Sequence, residues 1–541
     1  MLVRQSGGRR HVRPIGTHAR ADDRGRRRPG STFRLGALIA LPVAVAVGAA
    51  AYARESGIAM WASRGAAAET KSPAATTSVL ADAADKAAAQ AAAAMFASAP
   101  VAVIANPSRA ADLAEAARVA ERAHAPLLLV TPPPARPTPR GNTLASAALV
   151  VRAAARSLGT RTVIDVGVAQ GLLRAELPRV RLTTDPGALP AARPPAPLRH
   201  VVVLVHDPAS SAGAIAAATT ARAAGARVIS VAGYDPRADP AAISALSVAK
   251  PTHVIAVGRR FGPARLLAAR VAVAETGVQL PGGGQVLFPM HRLLALYGHP
   301  GAPALGALGQ QGLSASIARI RAIAASYRPL SGVPVVPAFE IIATVAQASP
   351  GHNGSYSYES PVASLLPWVR RATAADMYVI LDLQPGRASL LAQARLYRRL
   401  LELPDVGLAI DPEWKLQPGQ LPLRQIGSVD ITEINSVIRW LAGLTARLRL
   451  PQKLLVLHQF KLSMITGEHR LDTGHDDLAV VIHMDGQGTR GDKLHTWQAV
   501  TGAAPPGVFF GWKNFFVKDH PMLSPAQTMS NTPRPVMISY Q

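Results

Sequence analysis

The pattern of apolar and polar positions divides this chain into regions of different periodicity. Over the last 255 or so residues, eight short apolar runs recur. They are LLALYGHP (293–300), PVVPAFEIIATVA (334–346), MYVILDLQPG (377–386), VGLAIDPEW (406–414), KLLVLHQF (453–460), LAVVIHMDG (478–486), GVFFGWKNF (507–515) and PVMISY (535–540). Helical patterns near 312–327, 361–374, 388–403, 431–448, 491–502 and 524–530 lie between or beside them. Strands alternating with helices predict a parallel sheet, and eight such strands predict a (β/α)8, TIM-like barrel over 286–541. In that fold the site lies at the carboxyl ends of the strands. Those ends carry Tyr297 and His299, Glu340, Asp382, Asp411 with Glu413, His458 with Gln459, His483 with Asp485, Lys513, and Tyr540.

Between about 99 and 280 the period changes to short apolar strands and Ala-rich helices. VAVIA (101–105), PLLLVT (126–131) and TVIDVG (162–167) alternate with helices near 109–124 and 143–158. HVVVLV (200–205), RVISVA (227–232) and HVIAVG (253–258) repeat the order about 100 residues later, with helices near 210–224, 240–248 and 263–275. This predicts a repeated parallel α/β domain over 98–285, joined to the barrel by a Gly/Pro linker, LPGGGQVLFP (280–289). VGRRFGP (257–263) lacks the G-x-G-x-x-G spacing of a dinucleotide site. The segment ADLAEAARVAERAHAPLLLVTPPP resembles the cell-wall-binding repeat family, type 2, over roughly 99–275, with Asp112-Leu113-Ala114 nearest to that family's Asp-Ala-Leu helix start. The resemblance implies non-covalent attachment of an exported protein to wall polymer. The barrel resembles an uncharacterised module of exported actinobacterial proteins through LDLQPGR (381–387), DPEW (411–414), LHQF (457–460), DGQG (485–488), GWKNF (511–515) and the terminal SYQ; no activity comes with it.

Before residue 98 the pattern is neither. Residues 1–34 hold ten Arg against Asp22 and Asp23, and predict a cytoplasmic tail. Leu35–Ala53 is an uncharged run of 19 residues, long enough for a bilayer core of ~30 Å at ~1.5 Å per residue. It predicts a single-pass membrane anchor with the bulk of the chain extracytoplasmic. Ala51-Tyr52-Ala53 has the small-x-small form of a cleavage site, so cleavage and secretion is the alternative. Residues 54–97 are Ala-rich and predict a stalk.

Composition adjusts this picture modestly. The chain of 541 residues is 49% hydrophobic and 17% charged, with formal charge +25 and a pI near 11.2. That length implies more than one domain. The basic excess suits an anionic envelope polymer or lipid headgroups, such as cell-wall polysaccharide, better than nucleic acid, for which no binding motif is present. Cysteine is absent, which excludes disulfides, thiolate ligands and lipobox acylation. The Ala/Arg/Pro/Gly bias points to a GC-rich genome of actinobacterial type.

The candidate chemistry is that of paired carboxylates. If the fourth strand persists through Asp411-Pro412-Glu413-Trp414, Asp411 and Glu413 face the same side with Cα atoms ~6.5 Å apart. Two carboxyls in one cleft separate in pKa, one remaining protonated as an acid, as glycoside hydrolysis requires. A fourth-strand D-x-E followed by an aromatic residue also resembles the chitinase and lysozyme-like barrel families. Where the chitinase pattern has further Asp residues, this chain has Ala409 and Val406. The expected catalytic set is Glu413, Asp411 and Asp382. The expected substrate-binding set is Glu340, Trp414, His458, Gln459, His483, Asp485, Trp512, Lys513 and Tyr540, with the two Trp residues stacking on sugar. Asp382 and Glu340 are equally readable as ion-pair partners of Lys513 or Arg387. His458, His483 and Asp485 are of metal-ligating type, but no HExxH-like motif holds them, and neither metal nor cofactor is expected. No G-x-S-x-G elbow is present. The alternative to an enzyme is a non-catalytic cell-surface binding or scaffold protein. The polar segment SPGHNGSYSYES (349–360), after the second strand, is placed to form a lid or substrate wall.

Overall fold

A computed structural model describes residues 67–130 and 143–541, apart from the single positions 169, 186, 208 and 210 and the segment 188–192. The proposed tail and membrane anchor, 1–34 and Leu35–Ala53, lie outside the described residues. Among the described residues, no helix is long and apolar enough to cross a membrane.

The barrel closes. Its strands are β1 (Arg292–Gly298), β2 (Val335–Ala346), β3 (Tyr378–Leu383), β4 (Val406–Ile410), β5 (Lys453–Gln459), β6 (Leu478–Met484), β7 (Phe509–Asn514) and β8 (Met537–Tyr540). Each pairs in parallel with the next, and β8 and β2 both pair with β1. Helices follow β1, β2, β3, β4, β6 and β7 where the periodicity places them. After β5 the chain instead makes the 3-10 turns Leu462–Met464 and Glu468–Arg470. Ser357–Glu359, within the polar segment 349–360, folds back antiparallel onto the end of β2.

Strand alternation sorts the side chains. The outward face is apolar: Leu294, Leu296, Phe339, Ile341, Leu381, Leu383, Leu455 and Leu457 pack under the helices. The inward face changes character along the axis. Its lower layers are Leu293, Ala295, Val336, Ala338, Tyr378, Ile380, Leu454, Val456, Ala479, Val481 and Met537. Two residues further along the same strands stand Tyr297, Glu340, Asp382, His458, His483 and Ser539, all buried. A period-2 pattern thus carries β1, β2, β3, β5 and β6 from the packed lower layers to ionisable groups, and β8 to a serine, in a single two-residue step.

The Gly/Pro segment 280–289 is not a loose linker. Leu280, Leu287 and Phe288 are buried and plug the amino-terminal end of the barrel, Phe288 packing on Phe509 with ring centroids 5.4 Å apart. Gln285 is fully buried, its Nε2 donating to the carbonyls of Val273 and Val278. At the same end Asp476, in the loop before β6, accepts from Arg237 (2.7 Å) and Arg270 (2.6 Å), and Asp235 pairs with both arginines. These contacts tie the α/β region to the floor of the barrel.

The α/β region holds two four-stranded parallel sheets of matching order. The first runs Leu127–Leu129, Val101–Ala105, Thr162–Val166, Arg181–Thr183; the second runs Arg227–Ser230, Val201–Val205, His253–Val257, Thr77–Leu80. The six strands expected from the repeat are all present. The outer strand of the second sheet comes from Thr77–Leu80, which corrects the stalk reading. Helix Ala84–Met95 is likewise buried along Ala87, Ala88, Ala91, Ala92 and Met95. The reason is side-chain size. Alanines allow this helix to approach Ala212–Ala223 so closely that a Cβ on Gly213 would meet Ala84 Cα at 3.1 Å. An alanine-rich stretch has little to bury against water but packs well against a second one.

Candidate active site

The ionisable layer forms one connected set at the carboxyl end of the barrel. Tyr297 Oη donates to Asp382 Oδ2 at 2.9 Å and accepts from Gln384 Nε2 at 3.3 Å. His458 Nε2 donates to Glu340 Oε1 at 2.9 Å and lies 3.8 Å from Asp382 Oδ1. On its other side His458 Nδ1 is 3.2 Å from Asp485 Oδ2, within ion-pair reach though off the line of a good hydrogen bond. Lys513 Nζ is 3.9 Å from the same carboxylate oxygen and 3.6 Å from the centre of the Tyr297 ring. His483 stands behind His458, ring centroids 5.2 Å apart, with Ser539 Oγ 3.1 Å from its Nε2. Gly511 is required beside it: a Cβ there would come within 2.6 Å of the His483 ring.

Above this layer opens a cleft of two lobes. The polar lobe, about 320 Å³, is lined by Tyr297, Gln384, Asp411, Glu413, Trp414, Asp485, Lys513, Phe515 and Lys518 among others. The second lobe, about 330 Å³, shares Ala346, Glu413 and Trp414 with it and is otherwise walled by Tyr356, Leu416 and the loop Pro422–Ile426. The fourth strand does not persist to Glu413. It ends at Ile410, and Pro412–Trp414 is a 3-10 turn whose amino end Asp411 caps by accepting from Glu413 N at 3.4 Å. Proline at the first position of a turn cannot continue the ladder. The i, i+2 geometry expected for Asp411 and Glu413 is therefore corrected, yet the turn still delivers both to the polar lobe.

Burial and charge separate the carboxyls. Burial, then the neighbouring Asp485 carboxylate, raises Glu413 to about 7. Burial raises Asp382 to about 6, with Glu340 adding to it against His458 and Lys513. Asp411 is pushed well up by burial and by Glu413 and Asp382. Asp485 goes the other way: burial opposes its charge, but His458 and Lys513 outweigh it and hold the carboxyl below the ordinary aspartate range. For His458, burial and Lys513 disfavour the proton, and Glu340 and Asp485 overcome them, so it is held well above the ordinary histidine value. Burial and the His458 charge keep His483 well below it. Near neutral pH the lobe therefore holds Glu413 close to the midpoint of its titration beside an ionised Asp485, the latter flanked by His458 and Lys513. Glu340 Oε2, Asp382 Oδ1, Asp485 Oδ1 and His483 Nδ1 are buried without a hydrogen-bond partner, a concentration of unused polar capacity uncommon in a purely structural core.

The expected residues divide accordingly. Glu413, Asp411, Trp414, Asp485 and Lys513 line the cleft; Asp382, Glu340, His458 and His483 form its buried floor. Gln459, Trp512 and Tyr540 face outward. Gln459 Nε2 donates to Glu468 (2.7 Å), Trp512 packs on Trp497 (5.5 Å) and bonds Asn514, and Tyr540 Oη meets Tyr327 Oη at 2.6 Å. Each is one residue from an inward position, so a strand-end position alone did not assign its face. Tyr297 and Gln384 are central but had no assigned role; Tyr297 stands two residues beyond the apolar inward Ala295, and that parity was the available signal. Among the described residues no group of three or more His, Asp or Glu is arranged to hold a metal ion. No family model matches the chain, and no curated protein matches it.

Proposed function

We propose that the barrel is a glycoside hydrolase-like domain in which Glu413 is the general acid and Asp485 the anion that stabilises positive charge at the sugar. The observation that carries this reading is the opposed titration of two carboxyls on one open cleft, Glu413 raised to about 7 and Asp485 lowered. Such a split defines an acid and an anion for cleavage through an oxocarbenium-like transition state. Glu413 transfers its proton to the leaving oxygen as the C–O bond breaks; water then adds its oxygen to the anomeric carbon and returns its remaining proton to the Glu413 carboxylate. Lys513 and Gln384 offer donors to sugar hydroxyls, and Trp414 a ring face. Asp411, pushed well up by burial and engaged in capping, is better suited to holding the turn than to carrying charge, and Asp382 orients Tyr297 from beneath.

The α/β region, in the same reading, binds cell-wall polymer non-covalently, and the protein is exported and held at the membrane through Leu35–Ala53 or secreted after cleavage. Its support is the repeated α/β pattern, the resemblance to cell-wall-binding repeats and the net charge of +25. Sedimentation with isolated walls, weakened by salt, tests the binding; protease accessibility on intact cells tests the export. For the barrel, turnover of a panel of methyl and aryl glycosides is compared between the native chain, Glu413→Gln and Asp485→Asn. Loss of turnover in both variants supports the assignment. Glycan binding without turnover in the native chain replaces it with the non-catalytic scaffold reading.

A further inference from the structure

The second lobe of the cleft is of a different chemistry from the first. Trp414, Leu416, Pro422, Leu423 and Ile426 form an apolar side of its wall, facing Tyr356, Arg424 and Gln425, and it continues to the surface along a loop whose Leu421, Leu423 and Ile426 are 47%, 78% and 40% exposed. Three large aliphatic side chains on one exposed loop are unusual unless something covers them. The loop is not slack. Gly427 N donates to Glu413 O at 2.7 Å, and a Cβ on Gly427 would fall within 2.6 Å of the carbonyl oxygens of Lys415, Pro412 and Glu413. Gln417 and Gln425 close it internally, through Ser428 O and Leu421 O. Leu423 holds φ +63°, a left-handed conformation that a leucine adopts only at a cost. The loop is therefore fastened to the backbone of Glu413 and spends strain to present Leu423.

We infer that this lobe is the leaving-group subsite, and that the substrate class is a glycoside whose aglycone is aliphatic, of the alkyl or acyl-chain kind. This rests on the proposed role of Glu413 and deepens it. An acid must stand at the oxygen it protonates, so the leaving group lies on the side of Glu413 away from the anion that faces the sugar. Asp485 and Lys513 line only the polar lobe, whereas Glu413 and Trp414 line both. The sugar ring therefore occupies the polar lobe and the aglycone the apolar one. A second sugar would leave the hydroxyls facing Leu416, Leu423 and Ile426 unpaired, with partners only on the side of Tyr356, Arg424 and Gln425; an aliphatic chain buries its methylenes against the leucines and isoleucine instead, and can follow Leu421 and Leu423 outward.

The test compares methyl and octyl glycosides of the same hexoses, below the micelle concentration, by calorimetric titration of the full chain and by turnover. The octyl compounds should bind at least tenfold more tightly than the methyl ones. The preference should collapse in Leu423→Ser/Ile426→Ser, whose thermal midpoint should stay near the native one because both side chains are partly or largely exposed. Equal binding of methyl and octyl pairs, no binding of either, or an octyl preference that survives the double substitution overturns the subsite. An octyl preference lost in the double variant, combined with no turnover sensitive to Glu413→Gln, supports the aliphatic subsite while removing the hydrolytic reading, so the two failures are distinct.

Discussion

The two ends of this barrel are built from the same eight strands and do opposite things with them. At the amino-terminal end the inward positions are hydrocarbon, Leu280, Leu287 and Phe288 close the bore, and the charges present, Asp235, Arg237, Arg270 and Asp476, are matched to one another. At the carboxyl end the inward positions are ionisable, several buried polar atoms have no partner, and carboxyls are driven apart in pKa. The lower half leaves little unpaired, Gln285 Oε1 being a buried exception; the upper half gathers several unpaired polar atoms beneath an open cleft. A barrel can tolerate this because the two halves share strands but not layers, so packing in the floor holds the mouth in place. The difference separates what keeps the molecule folded from what it can do.

That separation can be broken or sharpened by substitution. The largest effect is expected at the mouth: Glu413→Gln should lower turnover of a responsive glycoside about 10²–10⁴-fold, the usual worth of a general acid, with little change in thermal midpoint. A comparable loss of stability without loss of activity would place Glu413 in the structural half. Phe288→Ala should do the reverse, lowering stability by about 3–5 kcal/mol in chemical denaturation while leaving activity per folded molecule intact.

The ends should also respond oppositely to pH. Glu413 is raised from 4.5 to about 7, so the folded state holds the extra proton and stability falls as pH rises through that window. Lys453, in the floor, donates to the carbonyls of Leu403 and Val406, and burial lowers it from 10.5 to about 7. Here the unfolded state binds more protons, so stability rises with pH from about 7 to 10.5. At the end of its window the Glu413 contribution is roughly 3 kcal/mol and that of Lys453 roughly 5 kcal/mol. Glu413→Gln should flatten the first slope alone and Lys453→Met the second alone; one variant flattening both would show that the ends are coupled. Activity should fall on the alkaline side near pH 7, with that limb removed in Glu413→Gln.

Smaller effects are expected where charge is partly solvated. Asp476→Asn should cost about 1–2 kcal/mol, since its carboxylate faces two arginines but remains partly exposed. Smallest is Leu423→Gly, which relieves the left-handed backbone and should change stability by under about 1 kcal/mol while weakening retention of octyl glycosides. A fall of several kcal/mol would mean that the loop belongs to the folded core.

The eight strands, six of their helices and both α/β repeats are legible in the chain because each is a local periodicity: alternation for strands, the 3.6-residue stripe for helices. The site's location is legible for the same reason, since strand ends are where apolar runs stop. Asp382, His458, His483, Asp485 and Lys513 follow from that rule. Gln459, Trp512 and Tyr540 satisfy it equally and face the other way, because a pleat reverses direction with each residue and the strand end alone carries no parity. The buried role of Ala84–Met95 was not legible either: alanines have no amphipathic signature, and their value appears only when another alanine-rich helix lies against them.

By itself, then, the sequence determined the kind of element at each point and the inventory of ionisable groups at the barrel mouth, since these depend on covalent spacing. Which carboxyl is raised in pKa and which is lowered was decided only by the tertiary structure. Glu413 and Asp485 are ordinary carboxyls 72 residues apart in the chain; they differ because the fold buries one beside negative charge and sets the other between His458 and Lys513, and electrostatic energy depends on distances in space that no local pattern encodes.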